Sequence, residues 1–378
     1  MQLTHQSQTT IPFTQPRLIL YYQTHNNPSI TLLLQPRPLV THIILAALHL
    51  NYPAGNIHLN DHPPSHSIHT QTWTEVRTAQ AAGVKVLVLL GGAAQGSFTR
   101  LDGDKDSFEQ YYGGLRDFLI WSNLDGVDLD VEEIMSLAGV VRLVQRLRRD
   151  FGPGFLITAA PVASALLAIP GPDIDFETGQ PKKETDEERK RRTFVGNMSG
   201  FSYQDLEKAV GREIAWYNAQ FYCGWGSLKD GGQMYRQILQ RGRWDPRKIV
   251  VGTVTNPGNG AGWASERLVK RALKDMVLAA HEASHGRSDG VSFGGMMGWE
   301  YSNSVVARED RGFQLKAGEP WLWAARTRKW IDAAATGDEK ALEETWDEQA
   351  ALWGGRFGEK GFGGTPTSIQ DRRGRWTA

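Results

Sequence analysis

Eight short apolar runs recur along the chain, and most of them precede an amphipathic stretch. Their β-branched and aliphatic residues predict strands, and the amphipathic stretches predict helices. Strands that alternate with helices favour a parallel sheet. Eight such units predict an α/β fold, a (β/α)8 TIM barrel, with a doubly wound open sheet as the alternative. The predicted strands cover residues 18–22, 41–48, 85–90, 126–132, 155–161, 216–222, 248–255 and 293–300.

Six clear helices are predicted between these strands, and several begin with a residue that suits a helix cap. Ser107 and Ser265 are two such N-cap residues, because a serine hydroxyl can accept a hydrogen bond from a free amide of the first turn. The first crossover, residues 23–39, is interrupted by prolines, so an irregular unit is expected there. The predicted helices cover residues 74–82, 107–122, 136–150, 203–211, 232–241 and 265–285.

Three regions fall outside the barrel pattern. Residues 1–16 are polar and predict a flexible N-terminal tail, so that the barrel itself covers residues 17–335. Residues 336–378 predict a short helical C-terminal extension whose glycine- and arginine-rich end is disordered. Residues 170–200 form an insertion with a mixed-charge run at 186–192. That run predicts a solvated helix or mobile loop, and the insertion could also form one wall of a cleft.

Composition excludes several classes of protein. The chain has 42 basic and 42 acidic residues, so we expect no nucleic-acid partner and no anionic membrane surface as partner. One cysteine, Cys223, allows no intrachain disulfide. The N-terminal residues do not resemble a secretory signal, and no apolar run approaches the ~20 residues that span a bilayer. A cytoplasmic protein is therefore expected.

The predicted fourth strand carries an unusual pattern of acids. Val127, Leu129 and Val131 alternate with Asp128, Asp130 and Glu132, and strand side chains alternate between two faces. Three carboxylates on one face repel one another and raise one another's pKa. Because they end at the tip of a strand, where barrels of this type carry their active sites, the pattern predicts acid catalysis.

Glu132 is the residue expected to donate a proton. It would project into the mouth of the barrel beside Asp130, and a raised pKa suits the cleavage of a glycosidic bond. Two alternatives remain: the acids could cap neighbouring backbone amides, or they could bind a hard cation. The spacing does not match an EF-hand, and no phosphate-binding glycine loop accompanies it. We therefore expect no metal and no cofactor.

The residues Asp125 to Glu132 resemble the DGxDxDxE motif of glycoside hydrolase family 18, which contains chitinases and endo-β-N-acetylglucosaminidases. Three further segments are similar to segments of that family, in the same order. Residues 86–92 look like its third-strand SxGG segment, and residues 220–222 look like the segment with its active-site tyrosine. Residues 294–299 look like the eighth-strand segment with a tryptophan floor. The resemblance covers residues 17–330 and implies the barrel fold.

The resemblance implies a role for each matched residue. Glu132 would protonate the leaving oxygen, while the 2-acetamido group of the substrate attacks the anomeric carbon. Asp130 would hold the acetamido N–H, and Asp128 would share a proton with Asp130. Tyr222 would position the acetamido oxygen. The residues expected to bind substrate are Trp299, Tyr21, Gln220, Met297 and Asp125.

Several residues have more than one interpretation. Leu89 occupies the serine position of the SxGG segment, and Cys223 follows Tyr222 where the family often has Asn or Asp. Cys223 is expected to be a small, half-buried filler. Tyr21 could line the cleft or belong to the core, and Trp225 could extend a sugar platform or pack its loop. Glu133 and Glu300 are close in sequence to the site but do not lie on the required strand face.

Two histidine patterns suggest metal binding only weakly. His281, Glu282 and His285 match the HExxH pattern of zinc proteases, but they end a helix at the face opposite the predicted site. Their agreement with the pattern is therefore interpreted as a coincidence. A second group is interpreted as part of a polar loop: His58, His62, His66 and His69.

The leading hypothesis is a retaining endo-hydrolase of β-1,4-linked N-acetylglucosamine, acting on chitin-type oligosaccharides by substrate-assisted catalysis. An endo-β-N-acetylglucosaminidase that acts on N-glycans is the second hypothesis, and the absence of a recognisable secretion signal favours it. A catalytically silent, lectin-like barrel is the third. The presence of Glu132 argues against it. The expected partner is an oligosaccharide that contains N-acetylglucosamine, and the oligomeric state is left open.

Overall fold

The computed structural model describes residues 15–25, 27–167, 185, 196–284, 292–308, 314–316 and 319–343. The predicted tail at residues 1–16, the insertion at 170–200 and the end of the chain lie largely outside these residues. The chain divides into two compact units, residues 1–342 and 343–378. The elements described below lie in the first unit apart from Glu343, which is the one described residue of the second unit.

Eleven strands are present in the described part of the chain. All eight predicted strands are confirmed, and β3 adds a short hairpin partner to the second of them. The strands are β1 (Arg17–Tyr22), β2 (His42–Asn51), β3 (Asn56–Leu59), β4 (Lys85–Gly91), β5 (Gly126–Asp130), β6 (Leu156–Ala159), β7 (Tyr217–Gln220), β8 (Ile249–Val254), β9 (Gly295–Trp299), β10 (Val306–Arg308) and β11 (Gln314–Lys316).

Helices connect most of these strands. They are α1 (Thr70–Ala81), α2 (Ser97–Leu101), α3 (Lys105–Ser122), α4 (Leu137–Phe151), α5 (Tyr203–Val210), α6 (Gln233–Gly242), α7 (Glu266–Ala283), α8 (Trp321–Thr336) and α9 (Glu339–Glu343). The irregular first crossover contains a 3-10 helix, Ile30–Leu34. None of the described helices combines the length and the apolar composition that a membrane crossing requires.

Parallel pairing closes eight of the strands into a barrel. Neighbours follow the chain order from β1 through β2, β4, β5, β6, β7 and β8 to β9, and β9 pairs with β1. The predicted (β/α)8 TIM barrel is therefore confirmed. β3 pairs antiparallel with β2, and β10 pairs antiparallel with β11 outside the barrel sheet.

Strand alternation sorts the apolar residues into two clusters. The larger cluster lies between the barrel and its helices, and on β5 it contains Val127 and Leu129. The smaller cluster fills the barrel interior with residues such as Tyr21, Leu89 and Met297. Polar side chains on the interior face, including Asp128 of β5, therefore enter the space enclosed by the strands.

Three local predictions need correction. β5 ends at Asp130, so Glu132 lies two residues beyond the strand. The cap of α3 is Asp104, whose carboxylate accepts a hydrogen bond from the Ser107 amide at 2.9 Å; Ser107 itself is inside the helix. Ser265 does occupy the N-cap position of α7, but its side chain makes no capping hydrogen bond. Of the three, only α3 begins where a side chain satisfies a free amide of the first turn.

Two glycines on the barrel offer a matched test of the packing. A Cβ at Gly126 would lie 2.2 Å from the carbonyl oxygen of Leu156 on the neighbouring strand, whereas a Cβ at Gly113 of α3 would meet no atom within 4 Å. Gly126→Ala should therefore lower the free energy of unfolding by about 1–3 kcal/mol. Gly113→Ala should raise it by roughly 0.5–1 kcal/mol, because alanine has the better helix propensity. Urea denaturation measures both changes. Equal effects of the two substitutions would contradict this account of the β5–β6 contact.

Candidate active site

Three carboxylates lie along β5 and the residues after it, from the interior of the barrel toward its mouth. Asp128 is 0% exposed, Asp130 is 6% exposed, and Glu132 is half-buried. The carboxyl ends of all eight parallel strands meet at this mouth, where barrels of this class place their active sites. The three acids therefore form a line whose last member alone has substantial access to solvent.

Asp128 is held by donors from three other strands. Its Oδ2 accepts a hydrogen bond from the Tyr21 hydroxyl at 2.6 Å, and its Oδ1 accepts bonds from the Thr158 hydroxyl and, at 3.0 Å, from the Asn218 amide. Burial raises the pKa of Asp128, while these three hydrogen bonds favour the ionised form and oppose the rise. Leu89 supplies only apolar contact within the interior.

Tyr21 is buried under the acids and does not line a cleft. Its side chain is 1% exposed, and its ring lies 5.5 Å from that of Trp299. Burial, followed by the charge of Asp128, raises the pKa of the Tyr21 hydroxyl well above its usual value. The contact that the structure shows for the Tyr21 hydroxyl is the one with Asp128, and its contact with substrate stays a prediction.

Gln220 connects the two acids nearest the mouth. Its amide nitrogen lies 3.0 Å from Asp130 Oδ1, 3.2 Å from Glu132 Oε1 and 2.9 Å from the carbonyl oxygen of Ala160. Gln220 was predicted to bind substrate; in the structure it is buried and contacts the acids.

Asp130 and Glu132 both have raised pKa values. Burial is the largest cause for Asp130, followed by the charges of Glu132 and Asp128, and together they raise its pKa well above the usual value. Burial also raises the pKa of Glu132. In both cases the bond from Gln220 opposes the rise. A carboxylic acid that keeps its proton at higher pH than usual can act as a general acid.

Aromatic residues surround the acids. Tyr222 follows β7 and is buried; burial and then the charge of Asp130 raise its pKa well above the usual value, so its hydroxyl stays a neutral donor. Trp299, at the end of β9, is half-buried against the interior cluster. Met297 is 1% exposed and belongs to the interior cluster, and its contact with substrate stays a prediction.

Trp263 is an aromatic residue of this site that the sequence analysis missed. It is half-buried and packs against the same interior cluster as Trp299. The loop that carries it lies against the tyrosine, since a Cβ at Gly262 would lie 3.2 Å from Tyr222 Cα. The sequence did contain a signal for Trp263: it lies in a glycine-rich segment that directly follows a predicted barrel strand.

Asp125 is not part of the site. Its carboxylate accepts hydrogen bonds from the Val86 amide at 2.9 Å and the Lys85 ammonium at 2.8 Å, at the amino end of β4. The predicted substrate contact is therefore wrong, because Asp125 precedes β5 and lies at the end of the barrel opposite the mouth.

Glu133 and Glu300 are engaged elsewhere. Glu133 accepts hydrogen bonds from the amides of Gly96 and Phe98 at the start of α2. Glu300 accepts hydrogen bonds from the Gln23 amide at 3.1 Å and the Ser302 hydroxyl at 2.9 Å. Both carboxylates thus stabilise loops around the barrel.

Cys223 and Trp225, which follow Tyr222 in the chain, differ in burial. Cys223 is exposed and not half-buried as predicted; its backbone has φ 54°, and its amide donates to Ala261 at 2.7 Å. Trp225 packs against the cluster between the barrel and its helices, and its carbonyl accepts a bond from Ser164. The loop-packing interpretation of Trp225 is the one that these contacts support.

The histidine patterns do not form a metal centre in the described residues. His281 is exposed at the end of α7, Glu282 forms an ion pair with Arg236, and His285 lies outside the described residues. His62 and His66 stack with ring centroids 4.5 Å apart in the loop after β3. Within the described ranges, no three His, Cys, Asp or Glu side chains are arranged to hold a metal ion.

Comparison with known proteins identifies similar barrels. The model of the family "Glycosyl hydrolases family 18" matches residues 17–178. A solved chitinase, ChiC, from Aspergillus fumigatus is 41% identical, with a TM-score of 0.65, over 82% of this chain and 98% of that one. A fungal endo-beta-N-acetylglucosaminidase from glycosyl hydrolase family 18 is 38% identical, with a TM-score of 0.65, over 84% of this chain and 98% of that one.

A curated relative gives a shorter match. Chitinase 2 from Rhizopus oligosporus is 38% identical over an alignment of 94 residues that covers 23% of this chain. The match spans only 17% of that relative's length.

The raised pKa of Asp130 predicts that this acid lowers stability at neutral pH. The folded chain keeps the proton at pH values where the unfolded chain has lost it, so stability falls as the pH rises through the usual value of 3.8 toward the folded pKa. Asp130→Asn removes this ionisation and should raise the free energy of unfolding at pH 7 by roughly 0.5–2 kcal/mol. Urea denaturation at several pH values should show the gain disappearing in strong acid. Asp117→Asn, an exposed control on α3, should change stability little. A variant less stable than the wild type at pH 7 would contradict the assignment.

Proposed function

The chain belongs to glycosyl hydrolase family 18 and is a glycoside hydrolase, and on that premise we propose that it is a retaining endo-hydrolase of β-1,4-linked N-acetylglucosamine. The observation that supports this most directly is the line of three acids under an aromatic mouth. Only Glu132 among them is both half-buried and raised in pKa. A general acid at the mouth, with two buried acids behind it, suits cleavage of a glycosidic bond.

In the proposed reaction, Glu132 gives its proton to the oxygen of the leaving sugar as the bond from that oxygen to the anomeric carbon breaks. The carbonyl oxygen of the substrate's own 2-acetamido group forms the new bond to the anomeric carbon and gives an oxazolinium ion. Water then attacks the anomeric carbon from the other side, the bond from the acetamido oxygen to that carbon breaks, and Glu132 takes a proton from the water. Two displacements at the same carbon retain its configuration.

The substrate's amide is proposed as the nucleophile because the neighbouring carboxylates have other contacts. A retaining glycosidase without such an amide needs a second carboxylate about 5 Å from the acid. Glu133 and Glu300, the nearest glutamates in sequence, are bound to loop amides. Asp130 lies behind Glu132 and shares the Gln220 amide with it. In the proposal Asp130 holds the acetamido N–H and stabilises the positive charge that develops there.

The aromatic residues complete the proposed site. The neutral hydroxyl of Tyr222 hydrogen-bonds to the acetamido oxygen and orients it for attack. Trp299 forms the apolar floor under the reacting sugar, and Trp263 adds a second aromatic surface beside it. Asp128 supports Asp130 from beneath and does not touch the substrate, because it is fully buried.

Chitin-type oligosaccharides are the substrate we propose first. The similarity to the chitinase from Aspergillus fumigatus, at 41% identity, supports this choice. The similarity to the fungal endo-beta-N-acetylglucosaminidase, at 38% identity, supports an N-glycan as the second candidate. Both candidates contain the 2-acetamido group that the proposed reaction requires.

Glu132→Gln tests the acid assignment. Glutamine keeps the shape of the side chain but has no acidic proton, so release of a fluorophore from a chitooligosaccharide glycoside should fall at least about 10²-fold, at the lower end of general acid catalysis. Glu282→Gln, in the HExxH pattern, is the matched control and should retain wild-type turnover. Circular dichroism checks that both variants are folded. Full activity in Glu132→Gln, or its loss in Glu282→Gln, would contradict the assignment.

Paired substrates test the nucleophile and the substrate class. Hydrolysis of chitotetraose should be rapid, while the fully deacetylated tetramer should give no product, because its amines cannot form the oxazolinium ring. A high-mannose glycopeptide is assayed beside them to test the second candidate substrate. If the enzyme cleaves this glycopeptide faster than chitotetraose, the N-glycan replaces chitin oligomers as the proposed substrate. Equal rates on acetylated and deacetylated tetramers would refute substrate-assisted catalysis.

A further inference from the structure

Asn218 is the middle member of a short buried chain of hydrogen bonds that runs from Trp216 to Asp128. The indole N–H of Trp216 donates to Asn218 Oδ1 at 2.9 Å, and Asn218 Nδ2 donates to Asp128 Oδ1 at 3.0 Å. Trp216 is 2% exposed, and the other two residues are 0% exposed. All three side chains are therefore shielded from water, so water does not compete for these hydrogen bonds.

The indole decides which end of the Asn218 amide faces the acid. An asparagine side chain can present either its oxygen or its nitrogen, and an oxygen turned toward a carboxylate would be repelled. Indole has a donor and no acceptor, so it accepts only the oxygen end of Asn218 as its partner. With that oxygen engaged, the NH2 group must point to Asp128.

Trp216 is itself held in place by two groups at the amino end of the barrel. The Arg17 guanidinium lies 4.4 Å above its ring, and the His42 ring meets its edge with centroids 4.7 Å apart. Burial lowers the pKa of Arg17 to about 9 and that of His42 to about 3. Between these values Arg17 stays cationic and His42 neutral, so neither group changes charge where a carboxylate of raised pKa, such as Asp128, titrates.

The titratable groups whose charges interact with that of Asp128 are its neighbour Asp130 and several tyrosines. Burial is the largest cause that raises the pKa of each of these tyrosines, so all stay neutral in weak acid. They are Tyr21 on β1, Tyr203 on α5 and Tyr222 after β7. Asp130 is thus the only group next to Asp128, among the described residues, whose charge changes with it.

We propose that Trp216 is a positioning residue for the hydrolase site, acting through Asn218 to fix the donors of Asp128. The effect on catalysis rests on the proposed function, whereas the positioning of Asn218 rests on the hydrogen bonds alone. Without the indole donor, the Asn218 amide is free to rotate, and Asp128 loses a bond to its ionised form. Asp128 then takes up a proton at higher pH, and the Asp128–Asp130 pair loses the charge that supports the developing cation.

Trp216→Phe tests this chain of bonds. The acidic limb of the pH profile of kcat/KM should move upward by about half to one pH unit, the size of shift that one lost hydrogen bond produces. The alkaline limb should stay in place. Trp244→Phe is the matched control, because Trp244 is also buried and its indole donates to the Leu166 carbonyl at 2.8 Å. An unmoved acidic limb in Trp216→Phe, or the same shift in Trp244→Phe, would overturn the proposal.

Asn218→Leu tests the same chain of hydrogen bonds, and it does so even if Trp216→Phe does not fold. Removing the amide should move the acidic limb upward as well. Because Trp216 acts through Asn218, adding Trp216→Phe to Asn218→Leu should move the limb no further. Additive shifts, or an unmoved limb in Asn218→Leu, would overturn the chain of bonds.

Carboxyl ¹³C NMR separates this inference from the proposed function, since it needs no substrate. The resonance of Asp128 should titrate at higher pH in Trp216→Phe and in Asn218→Leu than in the wild type. This result would stand even for a protein that cleaves no N-acetylglucosamine substrate. Unchanged titration of Asp128 in both variants would refute the positioning role whatever the enzyme hydrolyses.

Discussion

The buried carboxylate of Asp128 is the constraint on which the site depends. A carboxylate removed from water is costly unless hydrogen-bond donors replace its hydration. Here the donors come from β1, β6 and β7, and two of them are 107 and 90 residues away in sequence. The barrel must therefore close before Asp128 can be accommodated, and the same closure aligns Asp130 and Glu132 toward the mouth.

Local patterns predicted much of the fold and part of the site. Alternation along one strand was enough to place Asp128 and Asp130 in the interior, and the eight strands are confirmed. The partners Thr158 and Asn218 could not be predicted, because they depend on the register between strands. Asp125 was misassigned because it was included with the rest of its motif, although it precedes β5 and therefore lies at the end opposite the mouth.

Burial divides the three acids into different electrostatic environments. Asp128 has three donors, Asp130 is next to two other acids, and Glu132 is half-buried at the mouth. Similar side chains spaced two residues apart thus acquire different proton affinities from their depth in one barrel. In the proposed mechanism this difference separates the supporting acids from the proton donor, at some cost in stability at neutral pH.

The central claim is that the substrate's acetamido group attacks the anomeric carbon and that hydrolysis retains its configuration. Proton NMR of the anomeric region, recorded in the first minutes of chitotetraose cleavage, measures this directly. The account predicts that the newly formed reducing end is the β-anomer and that the α-anomer accumulates only by later mutarotation. An initial product in the α-configuration would contradict the account.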